Sequence, residues 1–176
     1  MFIEEGTTRV AYCFPDQGIV VKVPRVGEAR EEYGVLANKA EAYLWDKTHN
    51  ILLAPVLFSK PSGEVVVMTY CPRGVRQGKH IKGGLPVELK ESLLDGTFFR
   101  LTEKILGAHI KTFVSDAHLV QGCNFRLTEE GTLRMSDYGV HFENDIQPLE
   151  EFIVNNGEKL VAGYYEPQIL KEYLYK

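Results

Sequence analysis

Apolar and polar positions in the first seventy residues follow a pattern that predicts strands around one helix. Two β-prone runs, residues 10–14 and 19–23, are separated by residues 15–18, whose Pro, Asp and Gly favour a turn. We therefore expect a β-hairpin there. A second pair of strands is predicted over residues 51–58 and 64–70.

Between these two pairs, residues 28–47 are predicted to form a helix because apolar residues recur every three or four positions. The face expected to be buried carries Val35, Leu36, Ala40, Tyr43 and Leu44. Gly34 weakens the middle of this helix, so its first part could instead form a separate turn.

The composition changes after Cys71. Residues 72–86 are rich in glycine and basic residues and have no periodic apolar pattern, which predicts a hinge and a surface loop. A helical region over 87–112, two short strands near 124–127 and 132–136, and a helical tail from residue 146 are expected to follow.

These elements predict an α+β chain of two lobes. The first lobe, residues 1–71, would be an antiparallel β-sheet with one helix, and the second, residues 72–176, would be reduced and mostly helical. Ligand pockets favour the cleft at such a junction.

Composition narrows the class of protein. The chain has 176 residues, of which 44% are hydrophobic and 25% charged, values typical of a globular domain that needs no metal or disulfide to fold. Its apolar runs are far shorter than the ~20 residues of a membrane-spanning helix, and its acidic start lacks the basic region of a signal peptide. Three cysteines without a CxxC motif indicate a reduced, cytoplasmic chain. The net charge of −4 argues against a nucleic-acid partner.

The first residue that could carry chemistry is Lys22, the one charge in the apolar run 19–23. A lysine on a core strand is costly unless its ammonium reaches a carboxylate or a phosphate. Glu41, in the following helix, could face the sheet and hold it. Alternatively, Lys22 points outward from an edge strand and Glu41 is a solvated helix residue.

At these residues the sequence resembles the protein-kinase-like fold family. Val20-Val21-Lys22 is similar to the V-A-I-K run whose lysine binds α/β-phosphates and pairs with a helix glutamate, and Glu41 follows nineteen residues later. Gly6 lies where the phosphate-covering loop belongs, although it is the one glycine kept of the G-x-G-x-x-G pattern.

Two further segments extend the resemblance. Residues 65–72 resemble the strand that runs into the hinge, which implies that Met68 borders an adenine pocket and that the backbone from Thr69 to Cys71 hydrogen-bonds the base. The sequence Asp137-Tyr138-Gly139 resembles the D-F-G motif, whose aspartate holds Mg²⁺ through hard carboxylate oxygens.

The catalytic loop fits the family pattern H-R-D-x-x-x-x-N in two registers. In the first, Asp116 is the base that accepts the proton of the substrate hydroxyl, and Gln121 takes the position of the metal-binding asparagine. In the second, Asn124 takes the metal position and Leu119 falls on the base, which removes the base. We prefer the first register because Asp116-Ala117-His118 is similar to a D-L-H variant of phage and antibiotic-type kinases.

The resemblance is to compact kinase-like proteins of bacteriophages and bacteria. It implies a Mg-ATP-dependent phosphotransferase, with ATP and Mg²⁺ as cofactors and a protein Ser/Thr hydroxyl as the acceptor, acting in the cytoplasm (of the host, if phage-encoded). The alternative implied by the altered catalytic loop is a pseudokinase that binds a partner or host protein as an inhibitor or adaptor. Its docking surface would be the basic stretch within residues 73–82.

Overall fold

Strands and helices follow one another in an α+β arrangement in the computed structural model, which describes residues 1–74, 125–128, 133–140 and 142–165. In chain order the elements are β1 (Phe2–Glu5), β2 (Arg9–Phe14), β3 (Ile19–Pro24), α1 (Glu28–Thr48), β4 (Val56–Ser59), β5 (Val66–Thr69), β6 (Arg73–Gly74), β7 (Phe125–Leu127), β8 (Leu133–Met135) and α2 (Ile146–Tyr165). Short 3-10 turns at Pro15–Gln17 and Glu143–Asp145 join some of them. The predicted helical region over 87–112 lies outside the described residues.

The larger sheet has five antiparallel strands in the order β1-β2-β3-β5-β4. Cys13 pairs with Val20 and Val20 with Met68, so these side chains share one face of the sheet. All three are buried, because α1 covers this inner face. Along β3 the same alternation places Lys22 on the inner face, beside Val66.

The predicted hairpin is confirmed as β2 and β3. The chain reverses through the 3-10 turn, and Gly18 closes it at φ 66°, a left-handed conformation that glycine adopts without strain. The second predicted pair is present as β4 and β5, both shorter than expected. Strand β1 lies outside the predicted strands and pairs with β2 along the edge of the sheet.

Helix α1 matches its predicted bounds and is continuous through Gly34. The alternative prediction, in which the first part of the helix forms a separate turn, was therefore wrong. A Cβ at Gly34 would lie 2.5 Å from the carbonyl oxygen of Thr8 and 2.9 Å from Pro24. Glycine is needed at this position because the helix backbone touches the sheet, and packing offsets the low helix propensity of the residue.

The buried face of α1 also differs from the predicted one. Ala40 and Leu44 are buried as expected, whereas Tyr43 is 42% exposed. Glu41 lies on the buried face, as its predicted pairing with Lys22 requires, and Asn38 lies there with it. The inward face of this helix therefore carries polar side chains, which an apolar periodicity cannot reveal.

A second sheet, β6-β7-β8, is joined to the first through the residues that follow α1. The N–H of Met135 donates to the carbonyl of Leu52 at 2.6 Å, and the N–H of Ala54 donates to that of Met135 at 2.8 Å. Helix α2 packs against α1 and contributes Leu149 and Ile153 to the same core. Among the described residues, no helix has both the length and the apolar composition needed to cross a membrane.

Candidate active site

Lys22 and Glu41 form an ion pair between the sheet and the helix. The Nζ of Lys22 lies 2.8 Å from Oε1 of Glu41. Lys22 is 6% exposed and Glu41 fully buried, so neither is the solvated surface residue of the alternative interpretation. Because a buried charge is costly unless it is paired, each residue offsets part of the cost of burying the other.

Glu41 connects three separate parts of the chain. Its Oε1 accepts hydrogen bonds from the N–H groups of Tyr138 at 3.2 Å and Gly139 at 3.3 Å, in addition to the Lys22 ammonium. A Cβ at Gly139 would lie 2.7 Å from the carbonyl oxygen of Ala37 in α1, so a larger residue could not approach the helix this closely. Gly139 thus allows the Asp-Tyr-Gly segment to lie against Glu41.

Asp137 lies on the open side of this ion pair. Its Oδ1 is 3.8 Å from the Nζ of Lys22, and its side chain is 50% exposed. The Lys22 ammonium also donates to the carbonyl oxygen of Ser136 at 2.6 Å. The structure therefore brings together Lys22, Glu41 and Asp137, which are far apart in the sequence.

Arg9 completes the cluster, although no motif in the sequence had pointed to it. Its guanidinium bonds both carboxylate oxygens of Glu41, at 2.8 and 3.0 Å, and it also bonds Asp137. Asn38 accepts from the same guanidinium at 3.1 Å and donates to the carbonyl of Gly63 at 2.8 Å. Strand alternation places Arg9 on the same face as Ala11 and Cys13, but the larger apolar residues Val10, Tyr12 and Phe14 alternate on the other face, so the sequence did not indicate which face is buried.

The cluster contains two cations and two carboxylates. Burial lowers the pKa of Arg9, but the carboxylates of Glu41 and Asp137 raise it by more, so that its net pKa lies above the ordinary value and it stays charged. Burial, followed by the nearby charge of Glu41, raises the pKa of Tyr138. Its neutral hydroxyl donates to the carbonyl of Ala54 at 2.9 Å.

The residues expected at an adenine pocket are placed as follows. Met68 is fully buried in the core. The N–H groups of Thr69 and Tyr70 donate to the carbonyls of Pro55 and Gly18, both at 2.9 Å. Cys71 is buried, and its thiol lies 4.0 Å from the carbonyl of Thr69. A base bound here would have to use other backbone groups of this segment.

Gly6 precedes β2, and its N–H donates to the carbonyl of Arg9 at 2.9 Å. This hydrogen bond closes a short turn over residues 6–9, so the turn holds the start of β2, where the Arg9 side chain enters the cluster. The expected catalytic-loop residues Asp116, Gln121 and Asn124, with Leu119 of the second register, lie outside the described residues.

The arrangement suits a polyphosphate with a divalent cation. An ammonium has three donors, and Glu41 and the Ser136 carbonyl use two of those on Lys22. The third has no hydrogen-bond partner among the described residues, and the carboxylate of Asp137 lies 3.8 Å from the Nζ. Within the described ranges, no group of three or more His, Cys, Asp or Glu side chains could hold a metal by itself. Mg²⁺ needs no such group, because it is commonly bound by one or two carboxylates together with phosphate oxygens and water.

Comparisons with known proteins add no relative: no family model matches the chain, and no curated protein sequence matches it.

Proposed function

We propose that this protein is a Mg-ATP-dependent phosphotransferase with a minimal two-lobe protein-kinase-like fold. The observation that carries the proposal is the convergence of Lys22, Glu41 and Asp137, one each from β3, α1 and the segment after β8. The antiparallel sheet with helix α1 against it, within residues 1–74, also supports it, because that is the N-terminal lobe that the sequence resemblance implies.

Each residue would have a distinct part. Lys22, held by Glu41, would bind the α- and β-phosphates through its remaining donor. Asp137 would hold Mg²⁺, with Gln121 or Asn124 as a further ligand, and the metal would neutralise charge on the phosphates. Asp116 would accept the proton of the acceptor hydroxyl, for which we propose a Ser or Thr side chain of a protein. Phosphoryl transfer asks a protein mainly for positioning and charge stabilisation, so this short set could suffice.

The first experiment measures nucleotide binding by thermal unfolding. A ligand that binds only the folded state raises the melting temperature, so Mg-ATP should raise that of the wild type. Lys22→Met should lose most of this rise, and in Asp137→Asn the rise should no longer depend on Mg²⁺. Lys60→Met is the matched control, because Lys60 pairs with Glu64 at the surface and should keep the full rise. A wild type whose melting temperature does not respond to Mg-ATP would refute the proposal.

The second experiment measures transfer from γ-labelled ATP to the protein itself and to a dephosphorylated casein mixture. Activity that disappears in Lys22→Met and Asp137→Asn but not in Lys60→Met would support the phosphotransferase. Asp116→Asn tests the preferred register of the catalytic loop, because loss of transfer without loss of binding is expected only if Asp116 is the base.

A second candidate is a pseudokinase that binds nucleotide and a partner protein without efficient transfer. The observation that favours it is the commitment of Asp137 to Arg9, together with that of the Thr69 and Tyr70 N–H groups to the protein's own carbonyls. Binding of Mg-ATP in the first experiment without any labelled product in the second would support this candidate over the first.

A further inference from the structure

We infer that Arg9 is a second phosphate-binding cation and that, without ligand, Asp137 occupies the place of the phosphate. In this inference, which rests on the proposed function, Mg²⁺ and the polyphosphate bind as a pair. The carboxylate of Asp137 coordinates the metal, and a phosphate oxygen accepts the hydrogen bond that Arg9 had donated to this carboxylate.

The Arg9 guanidinium is held firmly without Asp137. Of its five N–H donors, two bond Glu41 and one bonds Asn38, and these three contacts are buried. The donor that bonds Asp137 comes from Nη2, which also bonds Glu41. If Asp137 moves away, this donor therefore stays in a fixed direction.

Asp137 is the more exposed partner of the two, so its carboxylate is the one that can turn towards solvent. Its side chain is 50% exposed, whereas that of Arg9 is 8% exposed. Movement of the carboxylate towards solvent would uncover a planar guanidinium group, and such a group matches the geometry of phosphate oxygens. Lys22 lies beside it, with 3.8 Å between its ammonium and the same carboxylate.

Charge makes the two ligands depend on each other. The cluster has no net charge with all four side chains ionised, so a polyphosphate alone would meet the carboxylate of Asp137 where it needs a cation. Mg²⁺ alone would meet Arg9 and Lys22 where it needs anions. When both bind, the metal pairs with the carboxylate of Asp137, and the polyphosphate pairs with the guanidinium of Arg9 that this carboxylate has left. The binding of each ligand therefore favours the binding of the other.

The test is calorimetric titration of ATP into the full chain, in EDTA and in excess Mg²⁺. For the wild type, Mg²⁺ should strengthen ATP binding at least tenfold. Asp137→Asn removes the competing carboxylate, so it should bind metal-free ATP at least tenfold more tightly than the wild type and gain little from Mg²⁺. This isosteric change at a half-exposed position should preserve the fold.

The decisive comparison removes Arg9 in that background. Arg9→Met/Asp137→Asn should lose the metal-free gain, while the control Lys60→Met/Asp137→Asn should keep it. Arg9→Lys/Asp137→Asn serves if the first double variant does not fold. Lysine keeps the charge but has three donors in place of five and no planar fork, so this variant should also lose most of the metal-free gain.

The possible failures are distinguishable. A metal-free gain that persists without Arg9, or a wild type that binds ATP equally with and without Mg²⁺, would overturn this inference and leave the proposed function intact. ATP binding that is absent from every variant under both conditions would overturn both.

Discussion

Replacing Glu41 by Gln should lower the stability of the folded protein substantially. Glu41 is fully buried, and its two oxygens accept from the Lys22 ammonium, the Arg9 guanidinium and the N–H groups of Tyr138 and Gly139. Glutamine has nearly the same shape but no charge, and its amide would direct a donor at one of these donors. The carboxylate of Asp137, which is half-exposed, would then be the one negative charge of the cluster for both Lys22 and Arg9.

The magnitude follows from the burial of the ion pairs. Removing one partner of a buried pair costs about 3–5 kcal/mol, and we expect the lower value, about 3 kcal/mol, because Asp137 and part of the hydrogen bonding remain. With a urea dependence of about 1–3 kcal/mol per molar for a small protein, the unfolding midpoint should fall by about 1 M or more.

Urea unfolding followed by tryptophan fluorescence measures this change, because Trp45 is the single tryptophan and packs against the core from α1. Glu64→Gln is the matched control. It breaks an exposed ion pair of the same 2.8 Å length, and such pairs contribute little, so its midpoint should stay close to that of the wild type. If the two variants unfold at the same urea concentration, Glu41 does not hold the cluster together.

Two further changes test the surroundings of the cluster. Burial, followed by the charge of Glu4, raises the pKa of the Cys13 thiol from 9.0 to about 11. The thiol therefore loses its proton at a lower pH in the unfolded chain than in the folded one. Its contribution to the free energy of unfolding should be lost as the pH rises from 9 to 11. The difference in unfolding midpoint between the wild type and Cys13→Ser should therefore narrow over this range, and a constant difference would contradict the burial argument. Gly139→Ala places a Cβ 2.7 Å from the carbonyl oxygen of Ala37, and this overpacking should lower the free energy of unfolding by about 1–3 kcal/mol. It should also weaken Mg-ATP binding in the thermal assay. Unchanged binding would show that the close approach of Gly139 to α1 is not needed for the site.

Local patterns predicted the elements near the site well. The turn residues between β2 and β3 and the three-to-four-residue spacing in α1 act over short stretches of chain, so they could be interpreted from the sequence alone. The α+β class followed from these elements. Strand β1 was not predicted, because its short run Phe2–Glu5 ends in two acids and owes its pairing to the neighbouring β2.

The inward face of α1 could be predicted only in part. Apolar spacing favoured a face that included Tyr43, but Asn38 and Glu41 are buried because they bond Arg9, Lys22 and the backbone of Gly63. A pattern based on hydrophobicity assigns such polar residues to solvent. Only the partner charges on the sheet reveal that they point inward, and that information lies far away in the sequence.

Arg9 shows the same difficulty for the candidate site. Lys22 stood out because it interrupts an apolar run, whereas Arg9 begins its strand and could equally have pointed to solvent. Its inward direction depends on the register of β2 against β3, in which Ala11 faces Lys22. A one-residue change of register would have placed Arg9 on the other face of the sheet.

The energetics of the cluster favour a site over a purely structural role. The three buried charged groups, Arg9, Lys22 and Glu41, carry a large desolvation cost, and well-packed apolar residues of similar volume often stabilise a protein as well or better. The same helix already uses Leu44 for that purpose one turn further on. Moreover, the bonds among Arg9, Asn38, Lys22 and Glu41 are buried, whereas the side chain of Asp137 is half-exposed. A cluster needed only for stability gains nothing from that exposure, whereas a cluster that exchanges a carboxylate for metal and phosphate requires it.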